Sequence, residues 1–441
     1  MKTVDQIIHA RWIITGESNA DVLENHSLVI ADQKIVAILP TEQVKQHYTS
    51  PTHHTFATHA ITPGLINAHT HISMNYFRGL ADDLPLMDWL NNHIWPAEKA
   101  WVSHDFVRDA SLFAMAEMIR GGTTCFNDMY FFLQATAEAA DIAGIRAHIG
   151  MTVLEFPTAW AKNVDEYFER GLAFYDQYRD HPRITATVAP HAPYTVSDNT
   201  FLRVQEIAET HNLKINLHLH ETQDEVTQSL EQCKQRPIAR LNQLGLISDR
   251  LIAIHMTTLD DDDLKILVDK KPSGIVHCPE SNMKLASGAC PVSLLQSLDL
   301  TVALGTDGAA SNNDLDMLGE MRSAAFLSKL TTRNPQSLPA DHAITLATLS
   351  SAKALGIDHF TGSLKPGKAA DFIAIQLDEI ETLPLFHPVS QIVYAASRHQ
   401  VTDVWVDGKQ LLKNRQLTTL DENALKKRAI HWQEKLIHQY A

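Results

Sequence analysis

No stretch of this chain is long and apolar enough to span a bilayer, and its first residues, Met1-Lys2-Thr3-Val4-Asp5-Gln6, begin no apolar signal-peptide core. Cysteine is scarce. Cys125, Cys233, Cys278 and Cys290 are scattered with no Cys-x-x-Cys pair, which excludes a disulfide framework and reads as buried thiols in a reducing compartment. Positive charge is short as well: 37 Lys and Arg face 52 Asp and Glu, and a formal charge of −15 argues against nucleic acid or an anionic membrane as partner. Low-complexity segments, short-period repeats and Gly-x-Gly-x-x-Gly turns are all missing. A cytoplasmic protein is the expectation. What is present is an ordinary globular composition, 44% hydrophobic and 20% charged, over 441 residues. That length exceeds one hydrophobic core, so a large domain with a smaller one is the natural division.

The most informative stretch is residues 62–71, Thr-Pro-Gly-Leu-Ile-Asn-Ala-His-Thr-His. It reads as a short strand entered through a Pro-Gly turn and closed by His69 and His71, whose side chains share one strand face. After it, short apolar runs alternate with amphipathic stretches. The runs at 61–67, 123–127, 146–152, 184–189, 214–219, 251–254, 274–277 and 301–304 read as strands, and 200–211, 261–268 and 316–329 as helices between or after them. Eight βα units over about 250 residues predict an α/β fold, a (β/α)8 TIM-like barrel, at residues 61–362.

Both flanks have β texture instead. Residues 7–14, 27–30 and 34–39 precede the barrel, with a tight turn at Asp32-Gln33; residues 371–376, 401–406 and 409–412 follow it, with a hairpin turn at Asp407-Gly408. Neither flank alone has enough strands for a stable core. The expectation is a small composite β-sandwich from residues 1–60 and 363–441, closed by an outer helix at 422–438 whose 426–428 charge run faces solvent.

In a barrel enzyme the site lies where the strands end. The fifth run ends in His218-Leu219-His220-Glu221, the sixth at His255 and the eighth in Gly305-Thr306-Asp307-Gly308. A lone histidine at a strand end is more often structural than a ligand. Three imidazoles and a carboxylate on one barrel face, with a position open for water, instead describe a catalytic zinc-type centre that makes hydroxide available near neutral pH. Asp307 suits both ligation and proton transfer, Glu221 suits general acid work, and His255 suits orienting the nucleophile. His218 is preferred to His220 as ligand because it shares a face with Asn216; a one-residue shift of the strand would reverse that choice.

These residues carry a resemblance. The runs 63–71 and 78–84, Gly121-Gly122-Thr123-Thr124, His218-x-x-Glu221, His277-Cys278-Pro279-x-Ser281-Asn282, Gly305-Thr306-Asp307-Gly308 and the segment 362–371 are similar to the amidohydrolase superfamily, and within it to the 5'-methylthioadenosine/S-adenosylhomocysteine deaminases. The resemblance implies one divalent metal ion per subunit on His69, His71, His218 and Asp307, with zinc first choice and iron or manganese compatible with the donor set. It implies acid–base work at Glu221 and hydroxide stabilisation at His255. It further implies ribose recognition by Glu98, nucleoside contact at His191, an apolar wall at Trp89 and a purine-pocket position at Ser311. Without it, Glu98 reads as a surface helix residue and Trp89 as core.

One departure bears on substrate. Members that accept S-adenosylhomocysteine well hold its carboxylate with arginines after strand three. Residues 150–160 here contain none, offering Met151, Leu154, Phe156, Trp160 and an acidic Glu155. A neutral methylthio tail suits such a pocket, with S-adenosylhomocysteine or adenosine as weaker substrates. A guanine or cytosine deaminase or a chloro-triazine hydrolase keeps the fold and metal but lacks a use for Glu98 and His191. A non-catalytic scaffold leaves the intact ligand set without purpose. A small-molecule nucleoside is therefore the expected partner. Members of the group commonly associate, so a homo-oligomer is compatible, although the sequence carries no interface signal of its own.

Overall fold

The computed structural model describes residues 1–17 and 21–440 and divides the chain into two compact units. One comprises Met1–Asn67, Glu117–Cys125 and Asp316–Thr419, the other Ala68–Ala116, Phe126–Leu315 and Leu420–Ala441.

Eight parallel strands follow one another in chain order around a nearly closed barrel: Leu65–Thr70, Thr123–Tyr130, Arg146–Val153, Ile184–Pro190, Ile215–Leu219, Leu251–His255, Gly274–His277 and Val302–Leu304. Thr185 is the single exposed residue among them, as parallel strands covered on both faces require. Several of the intervening helices start on side-chain caps. Ser197 accepts from the Thr200 N–H ahead of Asp198–Thr210, and Asp260 caps Asp261–Lys270 through the Asp262 and Asp263 N–H groups.

The first barrel strand corrects one expectation. The run at 61–67 is not a single strand: Thr52–Pro63 belongs to the other sheet, and the barrel strand begins at Leu65. Gly64 marks the change. A Cβ there would stand 2.1–2.6 Å from the Thr124 side chain, so only glycine lets the chain pass. The shift carries the strand on to Thr70, placing His69 inside it and His71 one residue beyond.

Strands from both chain ends form a second, mixed sheet. Its order is Gln416–Leu417, Lys409–Lys413, Val401–Val406, Phe372–Gln376, Thr52–Pro63, Gln6–Ile14, Val22–Ala31 and Lys34–Pro40. The sheet curls over a core containing Ile8, Leu28, Phe56, Phe372 and Trp405. Its N- and C-terminal halves are also tied across the curl: Ala370 N donates to Gln33 O at 2.9 Å, and Gln6 Nε2 donates to Gly408 O at 2.7 Å.

The C-terminal helix Glu422–Tyr440 belongs to the barrel unit, where Trp432 Nε1 donates to Asp109 Oδ2 at 3.1 Å. Its charge run at 426–428 is exposed to solvent, and Arg428 pairs at the surface with Asp109 at 2.9 Å. All four cysteines are free thiols, three of them buried. No helix among the described residues is long and apolar enough to cross a membrane.

Candidate active site

His69 Nε2 and His71 Nε2 lie 3.4 and 3.3 Å from Asp307 Oδ1, and His218 Nε2 lies 3.2 Å from His69 Nε2. One ligand atom from each of the four residues falls within 4.8 Å of the others. Donors at about 2.0–2.1 Å from a tetrahedral ion stand about 3.3 Å apart, so the spacing fits a small divalent metal.

The tautomers fit as well. His71 Nδ1 donates to Met129 O at 2.6 Å and His218 Nδ1 to His191 O at 2.8 Å, which leaves each Nε2 with a lone pair toward the centre. Burial depresses the imidazolium form of His69 to about 4 and that of His218 well below the usual range, keeping both rings neutral. Burial alone would raise the Asp307 carboxyl. The hydrogen bond to His69 and the neighbouring histidines outweigh it and hold the group well below the ordinary carboxylate range. Asp307 Oδ2 accepts from Ser281 Oγ at 2.7 Å and Ser311 Oγ at 3.1 Å, and Oδ1 from Gly308 N at 2.8 Å.

Asn216 shares the inward face with His218, its Nδ2 donating to Asn127 Oδ1 and Thr187 Oγ1. His220 turns the other way: it is fully buried, its Nδ1 donates to Thr258 O at 2.9 Å, and Ile238 N donates to its Nε2. The strand register thus brings His218 to the centre and leaves His220 a structural role.

Glu221 follows in the turn, where Glu225 accepts from the His220 and Glu221 N–H groups at 2.9 and 2.8 Å. Burial, reinforced by the charge of Asp307, pushes the Glu221 carboxyl up to about 8. It is therefore protonated at neutral pH, as a proton donor must be. Asn282 Nδ2 donates to His255 Nδ1 at 3.0 Å, so His255 carries its proton on Nε2, which lies 3.8 Å from Glu221 Oε2. His220, His255 and Asp307 all hold positive φ of 54°, 78° and 61°. Such left-handed, non-glycine positions gather at functional sites.

His71, His218, Glu221, His255 and Asp307 line a cavity of about 520 Å³, together with His191. His191 is half-buried, its ring 5.0 Å from that of His218. A further part of the lining comes from a helical segment, Leu86–Trp89, Leu90–Ile94 and Trp95–Trp101, whose middle turn is π-helical. Pro96, without an N–H, interrupts the normal ladder there. The segment brings Trp89, Trp95 and Glu98 to the cavity. Glu98 accepts from the Tyr130 hydroxyl at 2.7 Å, and burial pushes its carboxyl up to about 7 against that bond. Ser311 lines the cavity too, with its hydroxyl committed to Asp307.

The segment after strand three corrects another expectation. Leu154 and Phe156 line the cavity, joined by Pro157 and Ala159, whereas Met151 and Trp160 do not. Met151 packs on Gly171, and Trp160 on Tyr167 with ring centroids 5.6 Å apart. Glu155 is also turned away, accepting from Ser197 N and Thr200 Oγ1. Once the chain leaves the strand, simple alternation no longer decides which side chain faces inward.

Four contributors went unassigned in the sequence: Ser281, Asn282, Glu225 and Tyr130. The first two lie within the His277–Asn282 motif, and Thr222-x-x-Glu225 has capping-box spacing. Tyr130 carries no sequence signal.

The Amidohydrolase family profile matches residues 60–411. A 5-methylthioadenosine/S-adenosylhomocysteine deaminase of Teredinibacter turnerae is 43% identical over 98% of both chains. One from Saccharophagus degradans is 44% identical over 99% of this chain and 98% of its own. Among solved structures, an adenosine deaminase from Xanthomonas campestris with bound zinc superposes with a TM-score of 0.98 at 46% identity, covering 99% of each chain. An atrazine chlorohydrolase from Arthrobacter aurescens shares the fold, with a TM-score of 0.90 at 22% identity over 97% of this chain and 99% of its own.

Proposed function

Because the chain belongs to the amidohydrolase family, we propose that it removes the 6-amino group of an adenosine-type nucleoside by metal-dependent hydrolysis, with 5'-methylthioadenosine preferred. The observation that carries this reading is the meeting, in one cavity, of the His69–His71–His218–Asp307 centre, a protonated Glu221 and the carboxyl of Glu98.

Zinc is the proposed ion, and when bound it supplies an activated water near neutral pH. Asp307 takes the proton released by that water and hands it to the departing amino group. Glu221 gives its own proton to ring N1, drawing electrons from C6 as the new C–O bond forms; the C6–N bond then breaks to release ammonia, and the new C6 hydroxyl returns a proton to Glu221 as it becomes the carbonyl. His255 donates its Nε2 proton as a hydrogen bond to the attacking oxygen. Glu98 and His191 hold the sugar side, Trp89 supplies an apolar wall, and Ser311 fixes Asp307 beside the purine.

The tail preference rests on the wall of Leu154, Phe156, Pro157 and Ala159. Lys99 is the one Lys or Arg lining the cavity among the described residues, and it is solvent-exposed. A solvated ammonium is a poor substitute for a guanidinium fork in holding an amino-acid carboxylate. The Xanthomonas relative named for adenosine makes adenosine the second substrate of choice. A cytoplasmic setting agrees with four free thiols.

Ammonia release should be measured with methylthioadenosine, adenosine and S-adenosylhomocysteine, alongside metal content, for the native protein and Glu221→Gln. The expected order of kcat/KM is methylthioadenosine, then adenosine, then S-adenosylhomocysteine. Glu221→Gln should lose at least about 100-fold in turnover with metal retained. A clear preference for S-adenosylhomocysteine would sink the tail argument, and loss of metal in Glu221→Gln would make that residue a ligand.

A further inference from the structure

Tyr130 ends the second barrel strand, and its side chain enters the cavity wall. Its hydroxyl donates to Glu98 Oε1 at 2.7 Å, the one hydrogen bond that the Glu98 side chain receives among the described residues. Neither a cation nor a backbone N–H shares that task. Burial and the adjoining carboxyl raise the Tyr130 phenol well above its ordinary value, so the proton stays on the tyrosine and the bond keeps its direction. The rest of Tyr130 is anchored independently: Thr152 Oγ1 donates to its carbonyl at 2.8 Å, and its ring packs 5.1 Å from that of Phe131. A rigid phenol on the barrel strand therefore fixes one oxygen of a carboxyl carried by the neighbouring helical segment.

We propose that Tyr130 is a specificity-determining positioning residue for the ribose diol, pinning Glu98 Oε1 so that Oε2 stands ready to accept from the sugar hydroxyls. The assignment rests on the nucleoside-deaminase reading above. It predicts a selective effect, because a pinned carboxyl matters only to substrates that carry the diol.

Tyr130→Phe keeps the ring and its backbone anchor and removes only the donor. Adenosine and 2',3'-dideoxyadenosine should be compared as substrates of the zinc-loaded enzyme. Expected for Tyr130→Phe is a KM for adenosine raised about tenfold with kcat little changed, and dideoxyadenosine kinetics unaltered, the pattern of lost ground-state binding. In a Glu98→Gln background the same substitution should add no further change, since both residues act through one contact. Binding gives a second test without turnover: Tyr130→Phe should weaken inosine about tenfold and leave the sugar-free base hypoxanthine unaffected. Equal losses for both nucleosides, or for inosine and hypoxanthine alike, would overturn the assignment and make Tyr130 a packing residue. Absence of ammonia release from any adenosine derivative by the native enzyme would instead overturn the functional reading, and this assignment with it.

Discussion

Glu98 is a carboxyl without a cation. Burial raises it to about 7, and the neighbouring Tyr130 and Tyr167 phenols stay neutral, the latter pushed up to about 12. Below about 7 Glu98 is therefore protonated, and above it ionised and the stronger acceptor for sugar hydroxyls. KM for adenosine should fall as pH rises through about 7, while KM for 2',3'-dideoxyadenosine stays flat; parallel profiles would show that Glu98 does not meet the sugar. At this scale the sequence was most readable where chemistry repeats. Histidines and a carboxylate at the ends of the first, fifth and eighth strands announced His69, His71, His218 and Asp307, and strand alternation separated His218 from His220. Tyr130 was silent, because a tyrosine in a buried strand looks the same whether it packs or donates.

Elements decide how closely those residues can approach. Gly305 follows the eighth strand, and a Cβ there would stand 2.8 Å from both the N and the O of His69. Gly305→Ala must push the first strand aside at the point where it carries a ligand. The expected result is a loss of about 1–3 kcal/mol in stability with reduced metal content, measurable by denaturant unfolding and metal analysis. The barrel strands and the helices at 200–211, 261–268 and 316–329 were legible because apolar runs and amphipathic periodicity are local signals. The break at Gly64 was not, because it depends on Thr124, which is distant in sequence. Nor was the inward face of residues 154–160, where an irregular loop follows the strand.

For the whole molecule, the metal centre joins side chains from the first, fifth and eighth strand ends, so an ion that fits it holds the two ends of the barrel sheet together. Chelation should lower the melting temperature as well as abolish activity, and added zinc should restore both in a concentration-dependent way. An unchanged melting temperature after complete metal removal would mean that the centre contributes nothing to holding the fold. The fold itself is silent about the reaction. The Arthrobacter chlorohydrolase shares it at 22% identity, so substrate must be argued from Glu98, His191 and the apolar wall.

The curled sheet built from both chain ends has a consequence in time. Pro63 pairs with Phe372, roughly 300 residues later in the chain. At about 5–20 residues per second, a ribosome takes roughly 15 to 60 seconds to deliver that partner. Throughout that interval the strand Thr52–Pro63 can pair with Gln6–Ile14 on one side only, leaving its other edge bare. Its first third, Thr52-His53-His54-Thr55, is polar, and its apolar pairing residues come last, at Ala60 to Pro63. A nascent chain waiting for its own C-terminus thus shows its neighbours on the polysome an edge whose leading third is a poor template for aggregation.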